Sequence, residues 1–221
     1  GLIEKSDFIF KISYEGNSFD GKINLHDLSE ELVGFDYCLN SILSLAYKQN
    51  ILDINPLEYE IIVEPFQKGS FKKIFRLTPK KIEKTLGKYK YSTNAVFTVA
   101  LIFVGVGQII VAANQNEINS MPQVLSQSSI DKIKLELLTD KEFLKAYSKV
   151  VSPLSDSTDS VRLVKPDNTE YSIDYSQKEK FNNFADEDFE FITEINETLY
   201  GRITRVDLTA TKNAVGFKVN D

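Results

Sequence analysis

From Tyr91 to Asn116 the chain carries no charged residue, and the centre of that run, Ala95 to Ala113, is almost wholly apolar. About 18 or more consecutive apolar residues is the usual mark of a bilayer-spanning helix. Such a run has three destinations: across a membrane, into a domain core as a helix buried all round, or into a seam between subunits. Thr98 and Gln108 are its polar interruptions, and Gly105 and Gly107 lie near its middle. These glycines lack the four-residue step of closely packed transmembrane pairs and the loop and third glycine of a dinucleotide site. Tight packing or a helix break is expected there.

The residues on either side read as an acidic, soluble α+β protein. At 221 residues the chain is long enough to hide about 70% of its unfolded surface without staples. Its net charge of −6 argues against duplex nucleic acid, whose phosphates ask for Lys and Arg. Basic residues do gather from Lys68 to Lys90. Among them Lys72, Lys73, Lys80, Lys81, Lys84 and Lys88 form a candidate patch for an anion or a lipid surface, with a solvated face as the alternative. The lone Cys38 excludes an internal disulfide, fits a reducing compartment and reads as a small packed side chain.

Asp7–Tyr14 is rich in aromatic and β-branched residues and reads as a strand, with Lys22–Leu25 as its return. Asp27 followed by Glu30 reads as a capping box. Leu28, Leu32, Phe35, Leu39, Ile42, Leu43 and Ala46 then make one helical stripe. Glu58–Glu64 and Ser70–Leu77 read as a second strand pair, completing a ββαββ unit. Pro79–Tyr89 is a basic helix candidate that leads into the apolar run. Two further helices follow, carrying Ile130, Ile133, Leu137 and Leu138, then Phe143, Leu144, Tyr147, Val150 and Val151. Val161–Val164 and Tyr171–Tyr175 flank Pro166-Asp-Asn-Thr as a hairpin, and an acidic linker spans Asp186–Glu190. Leu199–Leu208 and Ala214–Val219 alternate as two last strands.

Chemistry-bearing motifs do not survive inspection. Gly16 to Ile23 approaches a phosphate loop, but Ile23 stands where magnesium needs a hydroxyl, so a turn is expected. His26 is the single histidine, which leaves neither a zinc set nor a Ser-His or Cys-His pair. Asp27, Glu30, Glu31 and Asp36 gather near one helix start, where acids meet the helix dipole. The acidic run at 186–190 lacks the glycine and spacing of a calcium loop. No catalytic, cofactor or metal residue is assigned.

Several short patterns together resemble a group of uncharacterised bacterial domain-of-unknown-function proteins. They are Ile12-x-Tyr14-x-Gly16, Asp27-Leu28-x-x-x-Leu32-x-Gly34, Val63-x-Pro65 with Gly69-Ser70-Phe71, Lys149-Val-Val-Ser-Pro153-Leu154 and Tyr200-Gly201. The resemblance implies an α+β N-terminal domain joined through an apolar glycine-containing helical segment to a C-terminal β domain. It also implies a chain that continues past Asp221 in its relatives, and a bacterial mobile-element or antiviral-defence setting.

The expectation is therefore an α+β protein with a ββαββ unit over 1–78, a helical middle over 79–154 and a C-terminal β portion over 155–221. The expected function is a non-enzymatic interaction or scaffold protein that self-associates through its apolar helix. Val99, Leu101, Ile102, Phe103, Val104, Val106, Ile109 and Ile110 are the candidate contact residues. The alternative is a membrane-acting effector that inserts 94–113, and a carboxylate-only acid-base enzyme comes third. The expected partner is a second copy or another protein, with a membrane as the alternative. The expected location is the cytoplasm, with attachment to or insertion in the inner membrane as the alternative.

Overall fold

The structure is a computed structural model that describes residues 8–19, 23–64, 71–79, 89–113, 128–186, 201–207 and 214–219. The protein is α+β. Strand β1 (Phe8–Glu15) leads through a 3-10 turn at Asn17–Phe19 to helix α1 (Leu25–Lys48). The hairpin β2 (Tyr59–Glu64) and β3 (Phe71–Pro79) follows, then helices α2 (Tyr89–Ala113), α3 (Ser129–Thr139) and α4 (Lys141–Val151). A second hairpin, β4 (Ser160–Val164) and β5 (Glu170–Asp174), runs directly into α5 (Tyr175–Asp186). The last described elements are β6 (Gly201–Asp207) and β7 (Ala214–Val219).

The main sheet is fully antiparallel, in the order β2-β3-β1-β4-β5, so the two hairpins flank β1 on opposite sides. Phe10, Ile12 and Tyr14 of β1, Phe75 and Leu77 of β3, Val161 and Leu163 of β4 and Ile173 of β5 are all buried. The pairings Phe10–Phe75, Ile12–Leu163 and Tyr14–Val161 place them on one face, as period-two alternation requires. A bulge between Phe8 and Phe10 adds a residue there, and Ile9 is buried as well. The opposite face is laced with ion pairs, Arg162 with Glu15 and Glu170 and Arg76 with Glu64.

Two expectations are corrected. The returning strand at Lys22–Leu25 is not formed where the structure describes it: Ile23 and Asn24 are irregular and Leu25 already begins α1. Asn24, not Asp27, is the N-cap, its side-chain oxygen accepting the His26 amide at 2.8 Å. The hairpin at 160–174 pairs with β1 and completes the main sheet, because β1 has one free edge after β3 occupies the other. The compact units are Gly1–Phe191 and Ile192–Asp221, the second containing the antiparallel pair β6–β7. The basic helix expected over 79–89 and the acidic linker lie almost wholly outside the described residues. Helix α5 was not anticipated.

Candidate functional site

Helix α2 is the apolar run, and most of it is core. Ala95, Val96, Val99, Ala100, Ile102, Phe103, Val104, Val106 and Ile110 are buried. The Phe103 ring lies 5.2 Å from Phe10 of β1, 5.5 Å from Phe35 of α1 and 4.3 Å from Tyr147 of α4, centroid to centroid. Offset and tilted aromatic pairs at such distances add to simple area burial. The Tyr147 hydroxyl donates to the Phe103 carbonyl at 3.0 Å, so even the polar tip of that side chain is used inside the core. Lys180 of α5 donates to the Val111 carbonyl at 3.3 Å, placing a cation at the C-terminal, negative end of α2.

The two glycines of the run are packing residues. A Cβ on Gly107 would stand 2.4 Å from the Tyr147 hydroxyl, and one on Gly105 would stand 2.7 Å from Cε of Lys134. The Lys134 stem thus crosses α2 at Gly105, held by Asp131 at 3.1 Å.

One strip of α2 remains open. Asn94, Phe97, Gln108 and Ala112 are exposed, and Thr98, Leu101 and Ile109 are half-buried. They fall on a single helix face, recurring at three- and four-residue steps up to Leu101 and again from Gln108, with Gly105 between them covered by Lys134. Of the residues expected to make contacts, Leu101 and Ile109 reach this strip. Val99, Ile102, Phe103, Val104, Val106 and Ile110 are buried inside the chain's own core. The window Asn94–Ala112 is long and apolar enough to cross a membrane, yet 61% of it is buried within the protein.

The expected basic patch divides. Lys72 is exposed, but its neighbour Lys73 points to the other face of β3, is 1% exposed, and is ion-paired with the fully buried Glu31 of α1. Its ammonium also lies 5.2 Å from the Tyr14 ring. Burial pushes the Glu31 carboxyl up against the opposing pull of Lys73, and burial pushes the Lys73 ammonium down. The Tyr14 hydroxyl donates to the Val150 carbonyl at 2.9 Å. Lys80, Lys81, Lys84 and Lys88 lie outside the described residues.

The other buried acid, Asp159, organises a loop. Its carboxylate accepts the amides of Ser155 and Asp156, each at 2.8 Å, and of Ser18 at 3.2 Å. These amide donors hold its carboxyl below the usual range although burial opposes them. Gly16, at φ 124°, packs against it: a Cβ there would stand 2.4 Å from an Asp159 oxygen. Residues 16–19, the described start of the would-be phosphate loop, thus form a packed turn, and residues 20–22 lie outside the described residues. Cys38 is fully buried with its thiol pushed up by burial, which suits a packing residue.

A concavity of about 610 Å³ lies along α1 and the junction of α3 with α4, lined by Asp36, Tyr37, Asn40, Glu136 and Asp140 among others. Its polar groups are engaged with one another: Asn40 donates to Asp36, Gln49 to Glu136, and Asp140 caps α4. Among the described residues no cluster of His, Cys, Asp and Glu suits a metal ion. Comparison with protein-family models, with curated proteins and with solved structures returns no match for this chain.

Proposed function

We propose that this chain is an interaction or scaffold protein that pairs with a second copy of itself along the open strip of α2. The observation that carries the reading is that strip: Asn94, Phe97, Thr98, Leu101, Gln108, Ile109 and Ala112 share one face, and none of them is charged. The one charge that crosses this face, Lys134 at Gly105, is ion-paired with Asp131, so the strip presents little repulsion to its own copy. Phe97, 38% exposed, is the aromatic anchor such a contact would use. The setting we assign is the cytoplasm, in keeping with the acidic composition and the single buried cysteine.

Light scattering coupled to size exclusion tests the pairing on wild type and Phe97→Lys. The expected result is a concentration-dependent dimer for wild type and a monomer of unchanged melting temperature for the variant. A wild-type monomer throughout the dilution series would refute it. The membrane reading has one observation in its favour, the length and apolarity of Asn94–Ala112. It requires Phe103 and Ile102 to leave the core, where fully burying one such side chain stabilises by about 1.5–3 kcal/mol. Flotation of the chain with anionic liposomes at low salt would favour insertion over pairing.

A further inference from the structure

The geometry points to the free edge of β2 as a docking site for an extended, lysine- or arginine-bearing segment of another protein. β2 ends the main sheet and has no strand beyond it among the described residues. Its outward N–H and C=O groups are therefore open to a further strand. The strand also overhangs the helix layer. Phe75 and Leu77 of neighbouring β3 are 1% and 3% exposed, whereas Ile62 and Val63 are 38% and 42% exposed. Successive strand residues point to opposite faces, so an incoming strand meets an apolar side chain above the sheet and another below it. Leu57, just before β2, is more exposed still.

Charge decides which strand fits. From Asp53 to Glu64 the chain bears Asp53, Glu58, Glu60 and Glu64 and no Lys or Arg. Arg76 holds Glu64 from β3, while Glu58 and Glu60 are exposed. A second copy of β2 paired antiparallel about Ile62 would set Glu60 opposite Glu64 at both ends, and like charges directly opposite are destabilising. Basic side chains across from Glu60 and Glu64, alternating with apolar ones across from Ile61 and Val63 on the other face, turn the same register into attraction. In that register the edge opposes its own copy and favours a basic, alternating segment of a different chain.

The test uses the full chain and two fluorescent heptapeptides, one alternating Lys with Val and one alternating Glu with Val, read by anisotropy. The Lys-Val peptide is expected to bind, and Glu60→Lys to weaken it about fivefold while admitting the Glu-Val peptide. Glu60 is exposed, so circular dichroism should show that variant folded as wild type. A ¹³C-carbonyl label in the bound Lys-Val peptide should give the infrared band of a strand. Phe97→Lys should leave peptide binding unchanged, which separates this site from the pairing proposed for α2. Absence of binding, equal binding of both peptides, indifference to Glu60→Lys, or a bound peptide without the strand band would each overturn the proposal.

Discussion

Helices α1 and α2 are almost equal in length, 24 and 25 residues, and are buried in different ways. α1 hides one stripe, including Phe35, Cys38, Leu39, Ile42 and Ala46, and leaves its other side to water. It also closes its own ends. Asn24 caps the start, and Asn50 at φ 57° ends the helix with Ile51 N–H on Ala46 C=O at 2.8 Å and Asn50 N–H on Tyr47 C=O at 3.0 Å. Beyond Lys90 α2 has no charge to keep in water, so it is packed against β1 and the other helices except along one strip, and its C-terminal end is met by Lys180 from another helix. A membrane-like window therefore describes what a helix lacks, namely charge, and leaves open which solvent its sides find.

The difference can be broken most forcefully at Phe103, where α2 meets β1, α1 and α4. Phe103→Ala should cost about 3–5 kcal/mol in urea unfolding, since three ring contacts are lost around a rigid cavity. A cost below about 1 kcal/mol would mean that α2 is not the common core of these elements.

α1 differs from α2 in hiding a charge. Lys73→Met should leave Glu31 buried without its cation and destabilise by roughly 3 kcal/mol. The double variant Glu31→Leu/Lys73→Met should recover most of that loss, because the penalty lies in the orphaned carboxylate. Equal losses in the single and double variants would place the effect in packing instead.

The glycines sharpen the comparison at a smaller scale. A Cβ on Gly34 of α1 would stand 2.5 Å from the Ala146 carbonyl of α4, a backbone atom that cannot swing away. Gly34→Ala should therefore destabilise by about 1–3 kcal/mol. On α2 the Cβ at Gly105 meets only the end of the Lys134 chain. Gly105→Ala should be neutral or stabilise by up to about 1 kcal/mol through helix propensity. Matching melting-temperature shifts for the two variants would deny that the α1–α4 crossing is the tighter contact.

Much of this fold was legible where pattern is local. Alternation in Phe8–Tyr14, the Pro166-Asp-Asn turn and the stripe of α1 each point to an element that the structure contains. α5 has no legible stripe, because its buried side is only Phe181, Phe184 and Ala185, set among polar residues. The false strand at 22–25 ignored Asn24, whose side chain competes for the next amides and starts a helix. Strand pairing between β1 and β4 joins residues far apart in the chain, which no local periodicity encodes. For the candidate site, the apolar run was readable but its open face was not singled out. The signal was present: Asn94, Thr98 and Gln108 fall on one helical face and mark the side left to water. Lys73 stands in a basic run like any surface lysine, and only the fold brings Glu31 to it across the core.

The central claim is that α2 belongs to the core of this chain in water. Native-state hydrogen exchange of the full chain in lipid-free buffer tests it directly. The account predicts that the amides of Ile102 to Val106 exchange only through global unfolding and rank among the slowest in the protein. Rapid exchange of those amides in buffer, with protection appearing only when anionic vesicles are added, would contradict it.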